Sequence, residues 1–79
     1  MTILCIADSE SSRGFRLSGI ETREVTTRED VEAALEAAFT VPGVGIVFVT
    51  KRAAELARDR INEAGLRHQE PLVMEIPSR

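Results

Sequence analysis

Seventy-nine residues make one small domain, and at 43% hydrophobic and 29% charged the composition is that of a folded chain rather than a disordered one. A net charge of −3 gives no cationic footprint for nucleic acid, and apolar runs of about five residues fall far short of the roughly 20 that span a bilayer. A lone cysteine excludes an internal disulfide and fits a reducing cytoplasm, while Met1-Thr2 lacks the basic start of a signal peptide.

The chain alternates strand and helix patterns. Thr2 to Ala7 is a continuous apolar run ended by Asp8-Ser9, the pattern of a strand covered on both faces. A polar helix from Ser9 closes at Gly19, where glycine can take the left-handed cap conformation. Ile20 to Val25 is a second strand, with Glu21, Thr22, Arg23 and Glu24 between its apolar ends. Thr26, with Glu29 three residues later, reads as a capping box opening a second helix. Val31, Ala34, Leu35 and Ala38 form its buried stripe, and Pro42-Gly43 stops it.

Gly45 to Val49 is a third strand, apolar on both faces. Thr50 then caps a third helix whose inward residues are Ala53, Leu56, Ala57 and Ile61, ending at Gly65. A solvated loop, Arg67-His68-Gln69-Glu70, leads through Pro71 to a fourth strand, Leu72 to Ile76. A small fold of this size buries about 60% of its unfolded surface. Phe15, Phe39 and Phe48 are the only aromatics, so aliphatic side chains must fill that core.

Four strands joined by three crossover helices predict an α/β fold with a parallel sheet and right-handed connections. The uncharged first and third strands belong in the centre, and the charged second and fourth at the edges. The resulting order is 2-1-3-4, the flavodoxin-like arrangement, in one domain spanning residues 1–79.

This order places Asp8 and Thr50 together at the switch point, where ligands bind in open α/β sheets. Asp8 there can hold a cation or accept a phosphoryl group, or it can cap the first helix as Thr50 caps the third; capping is the simpler reading. A phosphoacceptor receiver needs an acidic cluster and an Asp ending strand three, and Thr50 stands there instead. Cys5 lies within a strand and reads as core, not as a reactive thiol. His68 has no metal-ligand partner at a suitable spacing. Gly43-Val44-Gly45 precedes a strand, whereas a phosphate cradle follows one.

A Ser9-His68-Asp8 triad lacks a nucleophile elbow. The charges of Lys51, Arg52, Glu55, Arg58 and Asp59 read as a solvated face or a partner-docking face. Gly14 costs its helix about 1 kcal/mol relative to alanine, so we expect a compensating close contact, first of all within the domain.

Gly14-Phe15-Arg16-Leu17-Ser18-Gly19 is similar to the Gly-Phe-Arg-Leu-Ala-Gly of the F-subunit family of V-type and A-type rotary ATPases. The strand ending in Ala7-Asp8 also resembles that family, as do Val44 to Thr50 and the Pro71 to Ser78 segment with its Ile-Pro-Ser ending. The resemblance spans nearly the whole chain. It implies a non-catalytic central-stalk subunit that couples ATP chemistry to proton or sodium transport; from the residues themselves we expect no cofactor and no metal. Its implied partners are the coiled-coil rotor subunit and other stalk or head subunits. Its implied place is cytoplasmic, held at the membrane through the complex, with no nucleic acid bound and no membrane insertion.

On this reading Gly14, Phe15, Arg16, Leu17 and Gly19 are the candidate partner-binding residues. Family members usually continue into a helical tail, whereas this sequence stops at Arg79. The alternative is a free-standing flavodoxin-like adaptor or small-ligand module. Leu72, Val73, Met74 and Ile76 on an uncovered edge strand predict a homodimer through that edge.

Overall fold

The computed structural model describes residues 2–67 and 70–78. The expectations for His68 and Gln69, including the triad that used His68, lie outside the described residues. The elements are β1 (Thr2–Ala7), α1 (Ser9–Leu17), β2 (Glu21–Glu24), α2 (Arg28–Thr40), β3 (Val44–Thr50), α3 (Lys51–Leu56), α4 (Arg58–Gly65) and β4 (Leu72–Ile76). All three strand pairings are parallel, and the sheet order is β2-β1-β3-β4, as the charge distribution predicts. The central strands bring the β-branched residues Ile6, Val47 and Val49, each fully buried, and the charged β2 sits at an edge.

Helix α1 closes with a complete glycine cap. Gly19 has φ +81°, its amide donates to the Arg16 carbonyl at 3.0 Å, and the Ile20 amide donates to the Phe15 carbonyl at 3.1 Å. That second bond draws Ile20 into the cap, so β2 begins at Glu21, one residue later than the apolar pattern suggests.

The capping box of α2 is also shifted by one residue. Thr27 is the N-cap, accepting from the Asp30 amide at 3.1 Å, and the Asp30 carboxylate accepts from the Thr27 and Thr26 amides at 3.2 and 2.9 Å. Asp30, not Glu29, answers the cap, because its short carboxylate sits three residues after Thr27 and reaches both amides. Beyond it, Val31, Ala34, Leu35 and Ala38 are all buried, as their helical spacing predicts.

The third crossover is two helices rather than one. Ala57, at φ −148° and ψ 56°, breaks the run between α3 and α4. The break keeps Ala53 and Ala54 on one side and Ala57, Ile61 and Ala64 on the other in the same core. It also sets Arg58 against Glu75 of β4, at 2.5 Å. No glycine or proline marks this position, so the break follows from packing on the sheet.

Right-handed crossovers put α2, α3 and α4 on one face of the sheet and α1 on the other. The contiguous core lies on the three-helix face, where Leu4, Ile6, Val47 and Val49 meet Val31, Leu35, Ala53 and Ile61. Val73 packs against this core, so it does not face outward with Leu72 and Met74. On the opposite face α1 packs mainly on β1 and β2.

Gly14 departs from expectation. A methyl group built there meets nothing within 4 Å, so the glycine fills no tight contact inside the domain. Gly14→Ala is therefore expected to raise stability by about 0.5–1 kcal/mol through helix propensity. In a domain of this size that is a rise of a few degrees in Tm by thermal denaturation. A fall in Tm would show that the added methyl collides after all.

Candidate functional site

The carboxyl ends of the two central strands meet where α1 and α3 begin, and Asp8 and Thr50 occupy that junction. Each follows an extended strand residue, and each holds the β-region backbone of an N-cap. The Asp8 carboxylate accepts from the Ser11 amide at 3.3 Å, and the Thr50 hydroxyl oxygen accepts from the Ala53 amide at 3.4 Å. The two caps also bond to each other. The Thr50 hydroxyl donates to Asp8 Oδ1 at 2.7 Å, and the Asp8 amide donates to Thr50 Oγ1 at 3.2 Å.

The segment that follows β4 closes over this pair. Ser78 Oγ donates to Asp8 Oδ1 at 3.2 Å and accepts from the Arg52 amide at 2.9 Å. The Arg52 guanidinium lies 4.0 Å from Asp8 Oδ2 and is bonded to Glu10. Beside it Ser12, buried, donates to Glu24 Oε1 at 2.7 Å. Among the described residues no buried side-chain nitrogen or oxygen lacks a hydrogen-bond partner.

Burial alone would push the Asp8 carboxyl up, but the hydrogen bonds from Thr50 and Ser11 outweigh it and hold the group below its ordinary value of 3.8. Cys5 is fully buried, and its thiol is pushed up to about 11, first by burial and then by the charge of Asp8. Such a thiol is protonated at neutral pH and a poor nucleophile. No group of three or more His, Cys, Asp and Glu side chains suited to a metal ion occurs among the described residues. The switch point is thus a closed polar clasp, in which the Asp8 carboxylate accepts from the Thr50 and Ser78 hydroxyls.

The segment 14–19 does not form one surface. Arg16 lies 3.9 Å from Glu24 on the β2 side of α1, and Leu17 is 80% exposed. Gly14 and Phe15, with Ser11 and Ser18, instead line a shallow groove that runs to Pro77 beyond β4. Gly19 serves the helix cap.

Next to that groove the sheet itself is bare. Register pairs Ile3 with Ile46, Ile46 with Leu72, and Phe48 with Met74, so these side chains share the α1 face with Ile76. Ile3, Leu72 and Met74 are 38%, 40% and 50% exposed, and Ile46, Phe48 and Ile76 are half-buried. A reading by motif misses Ile3, Ile46 and Phe48. The signal that could have found them is strand alternation, once α1 is known to stand by itself on its face.

Two outcomes test the clasp. Thr50→Val keeps the side-chain shape but removes the hydroxyl shared by two caps and a buried carboxylate, an expected cost of about 1–3 kcal/mol in chemical denaturation. The same substitution should raise the Asp8 pKa, read by carboxyl NMR titration, because burial then acts with less opposition. Since the folded-state Asp8 pKa is lowered, its contribution is complete above the unfolded value near 3.8 and is lost as pH falls through the folded value. Wild-type stability should therefore decline below about pH 4. Asp8→Asn should show a shallower decline.

Against known proteins, the family model of the ATP synthase (F/14-kDa) subunit matches residues 3–79. A solved structure, that of the F subunit of the V-type ATP synthase from Archaeoglobus fulgidus, superposes with a TM-score of 0.69 at 23% identity, covering 95% of each chain. It shares the fold. Comparison with curated proteins gives no match.

Proposed function

Because this chain belongs to the family of the ATP synthase (F/14-kDa) subunit, we propose that it is a non-catalytic central-stalk subunit of a V/A-type rotary ATPase. In that role it binds the coiled-coil rotor subunit and turns with it, and the complex couples ATP hydrolysis or synthesis to proton or sodium transport. Its place is the cytoplasmic side of the membrane, attached through the other subunits; no helix among the described residues is long and apolar enough to cross a bilayer.

The observation that carries this reading beyond family membership is the filled switch point. In open α/β sheets that crevice is where a ligand sits. Here Asp8, Thr50 and Ser78 hydrogen-bond to one another across it. At the N-terminus of α1 the Asp8 carboxylate itself takes the place an anion would, accepting from the Ser11 amide. A scaffold whose ligand crevice is used for its own closure offers surfaces, and surfaces suit a subunit that works by docking.

The purified chain titrated with the coiled-coil rotor subunit in a calorimeter should form a one-to-one complex, and alone it should hydrolyse no ATP above the buffer rate. ATP hydrolysis that disappears with Asp8→Ala would overturn the reading, as would failure to bind any stalk or head subunit.

A further inference from the structure

The two surfaces that the sequence marks separately, the start of the Gly-Phe-Arg-Leu-Ser-Gly segment and the alternate residues of the last strand, lie on the same side of the sheet. Between them is a lane over β3 and β4 that no described element covers. Its floor is Ile3, Ile46, Phe48, Leu72, Met74 and Ile76. Its wall is the Ser11, Gly14, Phe15 and Ser18 side of α1, and this wall carries no charge. We propose that this lane docks a single helix of a larger partner, one with an apolar stripe. This rests on the functional reading above, under which that partner is the coiled-coil rotor subunit.

The dimensions select a helix. Two strands at about 4.8 Å spacing and five residues of β4 make a floor of roughly 10 by 17 Å, the width of one helix and about three turns of its length. Gly14 supplies the second argument. It weakens α1, and a methyl built there meets only open space, so its bare backbone is of use to something outside the domain. A helix lying in the lane would run beside α1 at that notch and approach its backbone closely. The incoming helix must carry apolar residues at i, i+3 or i+4, and i+7, on the side turned away from its own coiled-coil mate.

A second copy of this chain fits less well. The floor offers a few hundred Å², whereas a standard stable interface needs about 800 Å² per partner. Nor can a second copy insert its own α1, because the outward side of that helix carries Glu10 and Arg13, which an apolar floor would leave without water or partners. A larger partner reaches the required area by touching other surfaces as well. Edge pairing through β4 would use its backbone edge and leave the floor of the lane uncovered.

The test titrates the full chain into the coiled-coil rotor subunit and compares Met74→Glu, Gly14→Leu and Glu36→Lys, the last on α2 across the sheet. Met74 is half exposed and the Gly14 methyl position is open, so both variants should keep the wild-type circular dichroism and Tm within a few degrees. Each is expected to weaken binding at least tenfold, and Glu36→Lys should leave it unchanged. If Met74→Glu alters the fold, Gly14→Leu decides the matter alone. Wild-type binding that neither lane variant weakens overturns the lane and leaves the stalk reading standing. Wild type that does not bind the rotor subunit overturns both. A wild-type dimer in light scattering that Met74→Glu dissolves would make a second copy the occupant, and that too overturns the proposal.

Discussion

Everything distinctive about this domain depends on the handedness of its crossovers. The chain moves from β1 outward to β2, then reverses across β1 to β3 and continues to β4. Because each parallel connection must be right-handed, the reversal sends α1 to one face and the remaining helices to the other. One face is therefore covered by three helices and the other by a single helix of nine residues. The core, the clasp and the bare lane are three consequences of that division.

The clasp sits at the reversal itself. There the central strands end side by side, and two helices begin with their unpaired amides close together. Many α/β folds leave this spot for a ligand's charge. Here the negative group is built in: Asp8 caps α1, and its carboxylate takes hydrogen bonds from Thr50 and Ser78. One carboxylate thus ties together the first strand, the third strand and the segment after the fourth. The arrangement stabilises the fold and uses up the place where chemistry would occur.

The bare lane is the other side of the same division. In a sheet of four strands with a single helix on one face, half of that face has no cover among the described residues, yet its side chains are Ile, Phe, Leu and Met rather than polar ones. A solvated face would carry polar side chains, as the exposed Glu21 and Arg23 of β2 do. Apolar residues where water alone would select polar ones point to a covering element supplied from outside. On the proposed stalk role, docking is then a matter of completing a fold rather than of recognising a small ligand.

The sequence by itself determined the strand order, the helix stripes and the pairing of Asp8 with Thr50, because these follow from local periodicity, from charge on edge strands and from the handedness rule. The stripe Val31, Ala34, Leu35 and Ala38 needs only the 3.6-residue period, and Gly19 needs only its freedom at positive φ. What the tertiary structure decided is which groups meet when several elements converge. Sequence spacing could not choose Thr27 and Asp30 over Thr26 and Glu29, since both pairs have the same period and differ only in where the chain leaves β2. The break at Ala57 has no local signal, because it arises from fitting two helical segments onto a twisted sheet. Ser78 reaches Asp8 across 70 residues of chain, and Gly14 faces open space rather than a neighbour, since long-range contacts and their absence belong to packing and not to pattern.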